Sequence, residues 1–386
     1  MNPKKLYILN PHRDDFIWEP LYYRFLKRKP LKKYNYLADI FTEGKQIELI
    51  ASDNCSGIIP EKLLHIFPVF ARKLIISFEL KQWKKLNAID SEYKIRWLDK
   101  LNPKPEDNIF FFQLYNLRYA NRIFQYLNKF NKSFVHLSHY YLNTIEVSKQ
   151  LHKISNIVLC GDSDVSSHPF FQKYFPWYQQ EFLLSPFYIN ERFQCKVPFE
   201  QKLDKIISTG TFHPIEEYPQ FSFLVKDWQA DSFHINRRTL YDQQENNKHA
   251  ITCLNSPWAA PSSSWWKKIF QSKKVSQKKY FSIDIVEAYN QHKFAIVGEE
   301  ICGFPGIGTF EAMACGCINF INPNTVKGIL ETDEFYIPFT QKISTLNPLD
   351  YNFANNQEKS NRGIQFVQTF LSRSACVSRF MKNFIN

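Results

Sequence analysis

KFAIVGEEICGFPGIGTFEAMACGCINF, Lys293 to Phe320, is the stretch from which the rest of the chain is read. Phe294 to Val297 is an apolar run of strand length, followed by Glu299 and Glu300 and then by Gly303, Gly306 and Gly308. Thr309, Phe310 and Glu311 open the small-residue run Ala312 to Gly316, and Cys317 to Ile321 reads as the next strand. The order is strand, loop of phosphate size, short helix, strand. Glycines let backbone approach a ligand closely, and a helix starting at about Thr309 aims unpaired amides and the positive end of its dipole at the loop. An anion is favoured there. Glu311, in the first turn of that helix, either complements the dipole or accepts hydrogen bonds from ligand hydroxyls. The glycines either cradle a ligand or merely turn the chain, and residue types alone leave both readings open.

Outward from this stretch, apolar runs of four to six residues alternate with helical stretches, the pattern of a parallel sheet. Lys5 to Leu9, Gln46 to Ser52, Lys73 to Phe78, Asn108 to Gln113, Ser133 to Ser138 and Ile157 to Cys160 read as strands, with a charged helix over Gln82 to Lys100. Lys205 to Ser208 starts a second unit, with Thr209 to Pro214 as its loop, and Pro186 and Pro198 place a hinge between about Phe182 and Lys202. Asn361 to Asn386 carries apolar residues at helical spacing.

At 386 residues, 44% hydrophobic and 17% aromatic, the chain is globular and long enough for two domains. Its 36 Phe and 20 Tyr against 3 Met fit an AT-rich bacterial genome. No run reaches the roughly 20 apolar residues that span a bilayer, and Asn10 to Asp15 is polar where a signal peptide has its apolar core. The expectation is a cytoplasmic protein, peripheral on the inner face of the membrane as a further candidate location. The 8 Cys form no metal pattern and read as buried, reduced thiols. A net charge of +12 calls for an acidic partner: nucleotide phosphates, anionic lipid or nucleic acid. Lys/Arg-interleaved aromatics over Trp18 to Tyr36 and Pro257 to Phe281, the latter with Trp265 and Trp266, suit an anionic membrane surface, a solvated helix or a lid.

The loop after the first strand holds His12, Asp14 and Asp15, and open α/β sheets place ligands at such carboxyl ends. These residues are either an acid–base group or, for the aspartates, a cap for the next helix. His139, just past another strand, is either a structural or an active-site histidine.

The segment Gly308 to Cys317, GTFEAMACGC, resembles the donor-site signature of GT-B glycosyltransferases, a glycine-rich loop followed by an (F/L)EAMACG helix and an apolar strand. The close match covers about thirty residues; beyond it the likeness is architectural. The resemblance implies an α/β fold of two Rossmann-like domains facing across a cleft: residues 1–195 on the acceptor side, 196–360 for the nucleotide sugar, and 361–386 as a helix crossing back. It implies that Glu311 binds the donor ribose and that Gly306, Gly308 and Thr309 lie near the phosphates, with Lys293, Thr211 and His213 as further donor contacts. His213-Pro214 is similar to a pair found in transferases that use cytidine-linked donors. Many retaining members carry a second glutamate eight positions before the first; that position here is Gly303, and Glu300 is the acid a shifted loop would bring in. His12, Asp14, Asp15 and His139 are the catalytic candidates on the acceptor side.

The expected function is transfer of a sugar from a nucleotide-sugar donor to a bacterial surface glycan or glycolipid, without a metal cofactor. Two other classes compete: a non-catalytic GT-B-like nucleotide- or glycan-binding protein, and a basic nucleic-acid-binding protein. Nucleic acid is not the expected partner, since no nucleic-acid module is recognisable.

Overall fold

The structure is a computed structural model. It describes residues 4–9, 34–43, 46–53, 61–86, 88–90, 93, 95–112, 124–142, 144–212, 215, 221–242, 250–255, 283–339, 347–351 and 354–385. The chain divides into two compact units, one of Met1–Tyr188 with Arg373–Asn386, the other of Ile189–Ser372.

Unit 1 is built on β1 (Leu6–Leu9), α1 (Leu37–Glu43), β2 (Ile47–Ala51), α2 (Val69–Leu86), β3 (Arg96–Trp97), β4 (Asn108–Phe111), β5 (Lys132–Leu137), α3 (Thr144–Leu151), β6 (Ile157–Gly161), α4 (Pro169–Tyr174) and β7 (Leu183–Leu184). The strands form one parallel sheet in the order β3-β2-β1-β4-β5-β6-β7. All four residues of β1 and of β4 are buried, so apart from Asn108 at the start of β4 these strands read as continuous apolar runs rather than alternating ones.

Two expectations fail here. Lys73 to Phe78 is not a strand but part of α2, and the helix over Gln82 to Lys100 stops at Leu86, with β3 and a 3₁₀ turn (Leu98–Lys100) following. A short apolar run cannot be told from a helix by periodicity, and no Gly or Pro breaks Val69 to Leu86. The helix continues through the run and exhausts itself before the charged stretch ends.

Unit 2 contains β8 (Leu203–Thr211), α5 (Ser222–Trp228), α6 (Ile235–Asp242), β9 (Ala250–Asn255), α7 (Ile285–Gln291), β10 (His292–Ala295), α8 (Ile307–Ala314), β11 (Ile318–Ile321), β12 (Tyr336–Pro338) and α9 (Asn356–Phe370). Its sheet is also parallel, in the order β12-β11-β10-β8-β9. Ile206, Phe294, Ile318, Phe320 and Ile337 from four strands meet Phe199 and Leu240 in one buried cluster. β8 runs on through Thr211, so Thr209 to Thr211 are strand rather than loop.

α10 (Arg373–Phe384) belongs to unit 1. Phe384 packs edge-on against Phe110 and Phe134, with ring centroids 4.8 and 5.0 Å apart, and Arg373 grips the Asp39 carboxylate of α1 through Nε and Nη2 at 2.5 and 2.6 Å. The helical run at the end of the chain is thus two helices, parted at Leu371, whose carbonyl accepts from the Ile189 amide at 2.9 Å. Among the described residues, no helix is long and apolar enough to cross a membrane.

Candidate functional site

In unit 2 the chain leaves β8 for β9 on one side and later returns as β10 on the other. Connections diverge at the gap between β8 and β10, and at such a switch point the carboxyl ends of the strands open into a ligand-sized crevice. The loop after β10 and the amino end of α8 both lie at this end of the sheet.

The central stretch folds there as a closed excursion. Glu299 and Pro305 pair as an isolated antiparallel bridge, and Gly303, at φ +91°, makes the tight turn that returns the chain. The Glu300 amide donates to the Phe304 carbonyl and the Ile301 amide to the Phe233 carbonyl, both at 2.9 Å. α8 then begins at Ile307, with Gly306 as N-cap and no side chain capping its first amides. The helix starts two residues before Thr309, so Glu311 stands in its second turn rather than its first. The helix ends in the paired bonds of a glycine-terminated helix: Gly316, at φ +84°, donates to the Met313 carbonyl and Cys317 to that of Ala312, each at 2.9 Å.

Sequence reasoning missed the residue that holds this crevice together. Arg237 of α6 is buried, with Nε 2.5 Å from the Val297 carbonyl and Nη1 2.7 Å from the Thr211 carbonyl. One guanidinium therefore ties the end of β8 to the loop after β10. A Cβ on Gly210 would stand 2.7 Å from Nη1 and one on Gly306 2.8 Å from Nη2, so these two glycines make room for the arginine. Beside it, Asn236 donates to both carboxylate oxygens of Glu299 at 3.3 Å. Burial raises the Glu299 carboxyl above its usual range, against an offset from Asn236 and Arg237. In sequence, INRRTLYD looks like an ordinary solvated helix face, and only the packing singles out one of its two arginines.

Along α8 only Ile307 and Glu311, one turn apart, are partly exposed; Gly308, Thr309, Phe310, Ala312, Met313 and Ala314 are buried. The open stripe of the helix thus carries its uncapped amino end and one carboxyl. Burial pushes the Glu311 carboxyl up to about 7, against an offset from Arg192. Poised at neutrality, it can accept from hydroxyls once ionised. Gly308 serves packing: a Cβ there would lie 2.9 Å from Tyr289 Oη, which is 2.5 Å from Thr209 Oγ1, and 3.0 Å from Val297 Cγ1. Glu300 is buried, accepting from the Cys302 thiol at 3.5 Å.

Thr211, Gly306, Gly308, Thr309, Glu300 and Glu311 are thus brought to one end of the sheet. Lys293 is not. It lies on β10 opposite the start of β8, with Nζ 2.8 Å from Asp204 Oδ1, at the amino end of the strands and away from Gly306. At the other end of α8, the buried Lys202 ammonium donates to the Cys315 carbonyl at 2.7 Å and reaches that of Tyr289 at 3.4 Å, closing the carboxyl ends of α8 and α7. Of the cysteines, Cys160, Cys302, Cys315, Cys317 and Cys376 are buried free thiols, but Cys195 is exposed, against expectation, where its Sγ occupies the space beside Gly316.

In unit 1 the comparable switch point lies between β1 and β4. His12, Asp14 and Asp15 fall outside the described residues, as do His213 and the two basic aromatic stretches apart from Tyr34 to Tyr36. His139 stands two residues beyond β5 in the left-handed region, φ +46°, a conformation uncommon for a side-chain-bearing residue, and its Nδ1 is 3.5 Å from the Tyr141 hydroxyl. Next to it sequence reasoning passed over a buried polar group. Tyr34 donates to Asp162 Oδ1 at 2.5 Å, and His136 Nε2 lies 3.7 Å from the same oxygen.

No family model and no curated protein matches the chain. Among solved structures it is similar to sucrose-phosphate synthase from Thermosynechococcus elongatus, at a TM-score of 0.50 and 12% identity, over 98% of this chain and 98% of that one. The chain has the GT-B fold. HepE from Anabaena, solved in complex with UDP, is similar at a TM-score of 0.49 and 10% identity over 98% of both chains. A glycosyltransferase from Rickettsia africae is similar at 0.43 and 8%, over 100% of this chain and 98% of that one.

Proposed function

We propose that this GT-B chain transfers a sugar from a nucleotide-sugar donor to a bacterial surface glycan or glycolipid, such as a lipopolysaccharide precursor. One observation carries the reading: at the β8/β10 switch point, the uncapped amino end of α8, a buried arginine behind it and a half-buried carboxylate one turn along are all at the same end of one sheet. That is the arrangement a nucleoside diphosphate needs, an anion sink next to a hydroxyl acceptor.

In this proposal Glu311 takes the ribose hydroxyls, and the amides of Ile307 and Gly308 at the start of α8 face the phosphates, the Thr309 amide being bonded to the Gly306 carbonyl at 2.9 Å. Arg237 is a positioning residue that sets the end of β8 against the loop after β10 and adds positive charge behind the leaving group, so that charge developing on the departing phosphate is met without reorganisation. The proposal requires no metal. Glu300 and Thr211 shape the crevice, and Lys293 has no part in it. The base for the acceptor hydroxyl is assigned to unit 1, at His12, Asp14, Asp15 or His139.

The test is transfer itself. Radiolabelled UDP-, GDP-, CMP- and dTDP-sugars are incubated with the protein and a bacterial glycolipid extract. Label moving into lipid or polysaccharide with one nucleotide class supports the proposal. Tight nucleotide binding with neither transfer nor donor hydrolysis would make the chain a binding protein instead.

A further inference from the structure

α2 of unit 1 is apolar on two opposite sides. Ile76, Leu80 and Trp83 are buried against the unit, which is the stripe a surface helix normally hides. Residues four apart share a face, so Phe70, Leu74 and Phe78 form a second stripe, and they are 69%, 67% and 56% exposed. Leu63, Ile66 and Phe67, just before the helix, extend this surface, with Ile66 74% exposed. At the areas such side chains carry, the patch is on the order of 600 Å², the upper end of what a soluble monomer leaves open.

The same helix face continues into lysine. Lys81 and Lys85, one and two turns beyond Phe78, are exposed. They border a groove of about 590 Å³ that Lys84, Ile89, Ile95 and Trp97 also line. No acid lines that groove among the described residues. Of the nearby described acids, Asp53 and Asp99 are already paired, with Arg72 at 2.6 Å and Lys73 at 2.5 Å, Glu79 is buried, and the exposed Asp90 interacts with Lys84 rather than with Lys81 or Lys85.

An apolar row that ends in lysines has the chemistry of a bilayer boundary. Apolar side chains enter the acyl region while ammonium groups, on their own apolar stems, meet lipid phosphates. A second copy of this chain fits less well. A two-fold contact would press the lysines against apolar side chains or against each other, with no acid among the described residues that line the groove to pair them.

We propose that this face of unit 1 docks the protein on an anionic phospholipid bilayer, Phe70, Leu74 and Phe78 entering the acyl boundary and Lys81 and Lys85 meeting the headgroup phosphates. The inference does not rest on the donor-site reading.

The test is co-sedimentation of the full chain with phosphatidylcholine vesicles with and without phosphatidylglycerol, at low and physiological salt. Binding is expected to the mixed vesicles and to weaken with salt. The triple variant Phe70→Ser, Leu74→Ser, Phe78→Ser should lower the partition coefficient by more than about tenfold, while its unfolding transition stays at the wild-type temperature because the side chains are exposed. Lys81→Gln and Lys85→Gln should each lower it roughly fivefold on phosphatidylglycerol and leave pure phosphatidylcholine unaffected. Absence of binding at low salt, or binding undiminished in the triple variant, overturns the proposal. So does a wild-type dimer that the triple variant abolishes, which would assign the face to a second copy.

Discussion

Arg237→Met removes a side chain that the end of β8 and the loop after β10 share. The guanidinium is buried and satisfies the Val297 and Thr211 carbonyls at 2.5 and 2.7 Å. Methionine fills the stem's space but donates nothing, so the buried Val297 acceptor and the half-buried Thr211 acceptor lose their donor, at about 1–3 kcal/mol each with Thr211 at the low end. The expected loss is about 2–5 kcal/mol, which for a unit of this size lowers the melting temperature by roughly 5–15 °C. Arg237→Lys keeps the charge but has no planar fork to span two carbonyls, so it should recover less than half of the loss. A double-mutant cycle isolates the cause. Gly306→Ala puts a methyl 2.8 Å from Nη2 and 3.0 Å from the Gly298 carbonyl. In an Arg237→Ala background the first conflict vanishes and the second stays, so the two substitutions should couple by on the order of 1–2 kcal/mol. Urea denaturation read by tryptophan fluorescence and calorimetry supplies the numbers. An Arg237→Met protein within about 0.5 kcal/mol of wild type, or a Gly306→Ala cost equal in both backgrounds, would refute the reasoning.

Lys202→Met leaves the Cys315 carbonyl, now 2.7 Å from the ammonium, without its donor at the end of α8, and should cost about 2–4 kcal/mol in the same denaturation experiment. Gly308→Ala must push Tyr289 away from Thr209 and crowd Val297, so a loss of about 1–3 kcal/mol is expected, with no gain from the better helix former. Glu311 carries a pH signature. Its folded carboxyl sits at about 7, above the unfolded value, so the stability it contributes is fully present below the ordinary carboxyl range and lost as pH rises through 7. Glu311→Gln should therefore raise the melting temperature at pH above about 8 and change it least near pH 4. If the ionised form takes the ribose, nucleoside affinity measured by calorimetry should fall about tenfold per pH unit below 7, and the Gln variant should be flat.

The strands of both sheets were legible where an apolar run sits between polar turns, as in Leu6–Leu9 and Ile157–Gly161, because a strand covered on both faces has no other composition available. Lys73 to Phe78 has that composition too, yet it lies in a helix whose outer stripe is also apolar, so neither period nor hydropathy could separate the alternatives. In the central stretch the order of strand, loop, helix and strand was legible, but the reasons for its glycines were not. Gly306 and Gly210 yield to Arg237 and Gly308 to Tyr289, contacts between residues distant in sequence. Arg237 itself gave no local sign, because burial of one arginine on a polar helix is decided by the loops that close over it. Lys293, on β10 just before its apolar residues, was drawn toward the site by sequence proximity although the strand's direction carries it to the other end.

The most direct measurement of the central claim is thermal stabilisation by UDP, GDP, CMP and dTDP, taken in parallel on the wild type and Glu311→Ala. A ligand that binds only the folded state raises the transition by mass action, about 2.7 kcal/mol at a hundredfold excess over Kd. A base-selective shift that disappears in Glu311→Ala is the predicted result. A folded protein that no nucleotide stabilises, or an equal shift in both proteins, would contradict a donor site at the β8/β10 crevice.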